Sequence, residues 1–551
     1  MGLGYSVGYL PRAAPPIIVL MRSPWKLVAR CALLLAPFAT GAATRAQSPG
    51  GRVVLVLPFE NRSGNPSLNW IGDSFPYTLN QRLESARFLT ISRDDRAYAY
   101  DHLGLPGDFR PSRASTIRIA QRLDANYVIV GTFSVVNNQI AIQARVLSVD
   151  GLQLSPPVQD GAELNRLFDA ENAIAWKVAK VMDTHFNVTE QTFLAAGGNV
   201  PLAAFEDFIR GSDAPSAAER TQRLSAAVAL VPTYPEALLT LGKQQYTDRD
   251  YAAAAATLAK VPSSSRGSLE ANFYLGLSRF NAANYAGAEQ AFATLAAQLS
   301  LPEVVNDEAV ARSRQGKDAV ALFQQASTAD PSDEDYHYNL AIALFRRGDT
   351  TAALREADAA LKLKQNDNEA GALRARLSLA APGTRLSSIP ETVFSPVERV
   401  RRDYSETGFR QAAFQLDQMR ALQLAMLPPQ QRAEQYVQLG NNYLSQNLLP
   451  EAESEFQSAL EADPTSWTAH IGLANVRDRS GDAVSARSEA LAALKVKPSA
   501  AGFLELARLD LADNMLSAAV SDVTHALQLE PQNAAALAMK LTLQQHGQQI
   551  P

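Results

Sequence analysis

The stretch LGNNYLSQNLLPEAESEFQSALEADP, residues 439–464, decides the fold, because its frame returns twice. Pro464, Pro498 and Pro531 lie 34 and 33 residues apart. Leu439-Gly440, Leu473-Ala474 and Leu506-Ala507 each stand 25 residues before their proline. Ala452, Ala486 and Ala519 stand 12 before, and Ala459, Ala493 and Ala526 stand 5 before. A period of about 34 residues with small residues at fixed offsets marks helix pairs stacked in a row. The small residues let two helices approach, and the proline ends the second helix.

The run Leu439-Gly440, Tyr443, Ala452, Phe456, Ala459, Pro464 resembles the tetratricopeptide repeat. Upstream, Leu241-Gly242 with Tyr251 and Ala254 opens one comparable unit, and Leu275-Gly276 with Tyr285, Ala288 and Phe292 opens the next. Gly316, Ala319, Phe323, Ala326 and Pro331 mark a third; Leu340-Ala341, Gly348, Ala353 and Ala360 mark a fourth. A weaker unit ends at Pro232. These place a first array at 201–380 and a second at 397–547, closed by a capping helix near 534–546 that covers the last apolar face. Between them, residues 381–396 carry Pro382-Gly383, Ser387-Ser388, Pro390 and Pro396 and read as a linker. Residues 397–427 read as one or two irregular helices before the repeats resume.

Residues 50–186 read differently. Residues 53–58 are a continuous apolar run, the pattern of a strand buried on both faces. Residues 71–86 place Ile71, Phe75, Leu79 and Leu83 about one helical turn apart. A short strand at 88–92 and a helix at 115–123 follow. Residues 127–136 and 139–149 form two strands around Asn137-Asn138, a hairpin signal, with Ile140, Ile142, Ala144 and Val146 on one face. Residues 162–186 return to helix. Val56-Leu57-Pro58-Phe59-Glu60-Asn61 with Ser63-Gly64, then Trp70-Ile71-Gly72-Asp73, then Ala125-Asn126-Tyr127-Val128-Ile129-Val130-Gly131 resemble the amino-terminal domain of TolB-like periplasmic proteins. The expected fold is therefore an α+β N-terminal domain followed by an all-α tetratricopeptide-repeat solenoid in two arrays.

Residues 1–46 read as a leader. They carry Arg12, Arg22, Lys26, Arg30 and Arg45 and no acid, and residues 31–40 form a short apolar core ahead of Ala43 and Ala46. This is the pattern of a secretory signal, with Met21 as an alternative start. The expectation is export to the periplasm; the alternative is an uncleaved inner-membrane anchor, the one route to membrane contact. Net charge is −5, and −10 without the leader, so nucleic acid is not an expected partner. Cys31 is the only cysteine and lies in the leader, which leaves a cleaved chain without thiol chemistry.

No spacing of nucleophile, base or metal ligand suggests an enzyme, and no cofactor or metal is expected. The acid pairs Asp94-Asp95 and Glu334-Asp335 read as solvated surface. The resemblance instead implies protein or peptide partners, envelope components among them, held in the concave repeat grooves. Position 9 of each unit, one of the groove positions, holds Asn441, Asn475 and Arg508 in the second array. Asparagine pairs with an extended backbone as donor and acceptor. The lysines of the family's carboxylate clamp are missing at Glu434, Val437, Thr468, Ile471, Ala501 and Glu505, which speaks against capture of a C-terminal carboxylate. In the first array position 12 holds Tyr246, Phe280 and Phe345, and position 5 holds Phe273 and Tyr338. These rings either anchor a partner or pack between helices. The function expected is a non-enzymatic interaction scaffold of the envelope; the alternative is a sensor whose α/β domain binds a small ligand.

Overall fold

The computed structural model describes residues 53–106, 112–196, 200–265, 267–402 and 418–549. The leader, and residues 403–417 of the expected irregular helices, lie outside the described residues. A mixed sheet opens the fold. Strand β1 (Val53–Val56) runs parallel to β3 (Leu89–Thr90) on one side and to β4 (Tyr127–Val136) on the other. The short β2 (Glu60–Asn61) extends the pairing with β4. β4 turns back into β5 (Gln139–Ser148), which pairs with β6 (Gln153–Leu154) and β7 (Val158–Glu163). Asn137 and Asn138 both take positive φ, 49° and 61°, as the tight hairpin turn demands.

Helices cover both faces, which is why β1 is apolar throughout. Val54 and Val56 face helices Asn69–Ser85 and Leu167–Met182, together with Ile140, Ile142, Ala144 and Val146 of β5. Leu55 and Leu57 face helices Arg93–His102 and Arg113–Arg122, with Ile119, Val128 and Leu147. Gly131 is fixed by packing: a Cβ there would lie 2.2 Å from the Phe59 ring. Two expectations need correction. The span 162–186 does not start as helix; β7 reaches Glu163 and the helix begins at Leu167. β7 is half exposed and polar, so it carries no apolar alternation to read. The helix Arg93–His102 likewise escaped notice, being charged over its first turn.

Helix pairs follow from Leu202–Asp213 onward. The repeat shows in the backbone as well as in the side chains. From helix Pro235–Thr247 onward the turns inside the pairs carry one left-handed residue each: Arg249, Ala283, Gly316, Gly348, Asn447, Gly481 and Asn514. The small positions Ala254, Ala288, Ala353, Ala360, Ala452, Ala459, Ala486, Ala493, Ala519 and Ala526 are all fully buried. Phe456 sits between two glycines: a Cβ at Gly440 would lie 2.6 Å from its ring and one at Gly472 2.3 Å. The capping helix spans Ala534–Gln545. Among the described residues no helix is long and apolar enough to cross a membrane.

Both arrays touch the α/β domain. On one side the Trp70 and Phe205 rings meet edge to face at 6.2 Å, and Tyr77 meets Phe208 at 4.6 Å. On the other, Glu453 of helix Leu449–Ala462 is wholly buried and pairs with Arg477 at 2.8 Å. It also accepts the Thr189 amide at 3.1 Å and the Thr189 hydroxyl at 3.2 Å. Arg87 pairs with Glu455.

Candidate functional site

The site is a groove on the first array, and it is filled by the chain itself. Residues 390–402 do not form helix; after a turn at 391–393 the chain runs without regular structure past helices Pro302–Ser313 and Glu334–Arg347. The expectation of irregular helix from 397 is therefore corrected for 397–402. Prolines 390 and 396 bias the backbone before them toward extended conformations. Helix Glu334–Arg347 shows why the segment docks. Asp333 caps it, and Tyr336 and then Tyr338 to Phe345 are all buried. A helix buried on every side needs cover beyond its repeat neighbours. Leu386 and Ile389 supply it directly, and Phe394 and Val400 pack at the edge of the same cluster.

The backbone of the segment is read by side chains of the array. The Asn339 Oδ1 accepts the Arg399 amide at 2.7 Å, and its Nδ2 donates to the Arg399 carbonyl at 2.8 Å. Asn306 Nδ2 donates to the same carbonyl at 3.0 Å, and Asn339 donates to Asn306 Oδ1 at 2.8 Å. Asp307 Oδ1 accepts the Arg401 amide at 2.8 Å. Val397, two residues earlier, hydrogen-bonds the Tyr338 oxygen through its backbone. Residues 397, 399 and 401 lie on one edge of an extended chain, so each repeat grips every second residue. Asn306, Asp307 and Asn339 are wholly buried. Burial drives the Asp307 carboxyl well above its ordinary range, against the opposing pull of the Arg401 amide.

Charge selects the side chains. Glu398 is buried and pairs with Arg346 and, at 3.3 Å, with Arg314; Ser313 donates to it at 2.7 Å. Arg399 lies 4.0 Å above the Tyr338 ring and reaches Asp335, Asp367 and Glu369, each at 2.7 Å. Hydrogen bonding to Arg399 pulls the Asp367 carboxyl down to about 2. Arg401 pairs with Asp333 and lies over the Tyr336 ring. The expected solvated acid pair 334–335 is thus corrected: Asp335 receives two arginines of the segment, and Glu334 pairs with Lys364.

The expected site residues fare differently. Phe345 is fully buried with Leu386 and Ile389, as are Phe273 and Tyr338 in their clusters, so Phe345 is core and not an open anchor. Phe280 is half-buried beside Val400, and Tyr246 is half-buried where Arg402 acts on its phenol. In the second array Asn441 is exposed. Asn475 donates to the Ile471 carbonyl of its own helix at 3.0 Å, and Arg508 bridges Glu505 and Asp478. The side chains that do hold a backbone are Asn306, Asp307 and Asn339 of the first array. Their signal was an amide inside an otherwise apolar helix, as in Tyr338-Asn339-Leu340-Ala341-Ile342.

A second concavity lies at the carboxyl end of β1, where the α/β domain meets helix Leu202–Asp213. It encloses about 890 Å³ between Leu57, Phe59, Asn61, Asp73, Arg96 and Asp213. Arg96 is drawn below its usual value by burial. Among the described residues no group of three or more His, Cys, Asp or Glu could hold a metal ion.

Residues 311–377 and residues 437–501 each match a family model described as tetratricopeptide repeat. None of the curated proteins compared with the chain matches it. Among solved structures, YrrB, a tetratricopeptide protein with an unusual peptide-binding site, is 14% identical with a TM-score of 0.28, covering 38% of this chain and all of its own. A tetratricopeptide repeat protein from Parabacteroides merdae is 12% identical with a TM-score of 0.25, covering 56% of this chain and 98% of its own. The LpoB C-terminal domain from Salmonella enterica is 22% identical with a TM-score of 0.18, covering 20% and 83%. The chain thus carries tetratricopeptide repeats before and after the extended segment, and such repeats are scaffolds for protein–protein interaction.

Proposed function

We propose that this chain is a non-enzymatic scaffold of the bacterial cell envelope that holds extended protein segments in its repeat grooves. The carrying observation is the grip of Asn306, Asp307 and Asn339 on the Arg399 and Arg401 backbone. A groove that reads backbone amides and carbonyls accepts any extended chain with suitable flanking charges. The basic leader with its short apolar core supports export, and the −10 balance of the remainder argues against nucleic acid. In the second array Asn441, Asn475 and Arg508 remain candidates for a further groove, with Tyr246 and Phe280 as flanking anchors in the first.

A photo-crosslinking residue placed at 441 and at 246 in living cells tests this reading. Discrete adducts with envelope proteins are expected at both, and none at Val484, which is 84% exposed on the second helix of its pair. Equal adducts at all three positions would defeat it. The cavity beside Arg96 supports the second reading, a small-ligand sensor. A thermal shift of the whole chain on exposure to metabolite pools, abolished by Arg96→Ala, is its distinguishing result.

A further inference from the structure

We infer that residues 397–402 are a built-in ligand that closes the first array, and that the groove's external partner is an extended segment with the same acid–Arg–X–Arg pattern. The inference rests on the scaffold reading and adds the partner's chemistry and the means of control. Three observations carry it.

First, the groove is built to be occupied. Asn306 and Asn339 are wholly buried and spend their amide donors on the Arg399 carbonyl. Without an occupant both amides lose the Arg399 carbonyl and Asn339 Oδ1 loses the Arg399 amide, so water or another chain must replace them. Second, the occupant is selected by sign at successive positions. Arg314 and Arg346 receive the carboxylate of Glu398, while Asp335, Asp367 and Glu369 receive Arg399 and Asp333 receives Arg401. A chain with these charges reversed would meet like charge at every one of these contacts. Third, the hold is polar and reaches the rim. Val397 and Arg402 are exposed, Val400 and Phe394 are only half-buried, and Glu369 is 66% exposed. Contacts of this kind are screened by salt and open to competition, unlike the apolar contacts between repeats.

An internal ligand raises the apparent dissociation constant of any competitor by its own effective concentration over its own dissociation constant. Removing its anchors should therefore strengthen binding of an outside segment by on the order of tenfold or more. The probe is a fluorescent synthetic peptide with the sequence FSPVERVRR, residues 394–402, and the protein is the full chain. The wild type should take it up weakly. The Glu398→Ala, Arg399→Ala variant should bind it at least tenfold more tightly, and adding Asn339→Ala should abolish the gain. A peptide with its charges reversed should not bind either form. The milder Arg399→Lys, which keeps charge but loses the paired contacts, should give an intermediate gain and serves if the double variant does not fold.

Equal affinity of wild type and both released variants, or equal uptake of the reversed peptide, would overturn the inference. So would a wild-type dimer in sedimentation that dissociates when the anchors are removed, since the segment would then come from a second copy. Peptide uptake without any envelope adduct at 246 or 441 would instead remove the scaffold reading and leave the closure standing.

Discussion

Glu171 shows how far a single buried group departs from its sequence context. It sits wholly buried between helices Asn69–Ser85 and Leu167–Met182, against Ser74 and Thr78. Burial raises its carboxyl to about 8. The Ser74 and Thr78 hydroxyls donate to its carboxyl oxygens and hold part of that rise back. The folded state keeps the proton that the unfolded chain releases above its ordinary value of 4.5. Stability from this group is thus full below about 4.5 and is lost as pH rises toward about 8. Glu171→Gln should remove that loss and raise stability at pH 8 by roughly 1–3 kcal/mol. Denaturant midpoints at pH 5 and pH 8 check it; an unchanged gap between the two would show that Glu171 is ionised in the fold. Nothing in the sequence singled out Glu171, because a glutamate in an amphipathic helix ordinarily faces water.

At the scale of elements, legibility followed periodicity. The repeat helices, β1 and the β4–β5 hairpin were readable because their apolar spacing has one solution. The pairing of Gly440 and Gly472 around Phe456 follows from the same frame, since the aromatic of one unit fills the space left by two small residues. Gly472→Ala should force the Phe456 ring aside, costing roughly 1–3 kcal/mol and lowering the melting temperature. A melting curve identical to wild type would mean that the helices separate without cost. β7 and the segment 397–402 were not readable, for opposite reasons. β7 is a polar edge strand. The segment has no period at all, and its partners Asn306, Asp307 and Asn339 lie 60 to 94 residues away. Its charges find their counterions only in the groove. The ladder at Asn441, Asn475 and Arg508 shares a repeat position, but Asn475 is bonded to the Ile471 carbonyl of its own helix and Arg508 to Glu505 and Asp478.

At the scale of the molecule, the α/β domain lies between two repeat arrays and is bonded to both. Its link to the second array runs from Thr189 to Glu453, which is itself held by a buried pair with Arg477 of the same array. Removing one partner of such a pair leaves a buried charge uncompensated, at a cost of about 3–5 kcal/mol. Arg477→Ala should therefore loosen helix Glu190–Ala195 along with the second array, seen as faster hydrogen exchange in both. Exchange confined to residues near 477 would show that the two fold independently.

The first array holds a stretch of its own chain, residues 397–402, against helices Pro302–Ser313 and Glu334–Arg347. Hydrogen exchange of the wild-type chain, read at the Arg399 and Arg401 amides, tests this most directly. Both amides are bonded to buried acceptors, Asn339 and Asp307, within a stretch without regular structure. Both should exchange far more slowly than a free peptide, and Glu398→Ala with Arg399→Ala should abolish that protection while the repeat helices keep theirs. Free-peptide exchange at both amides in the wild type would contradict it.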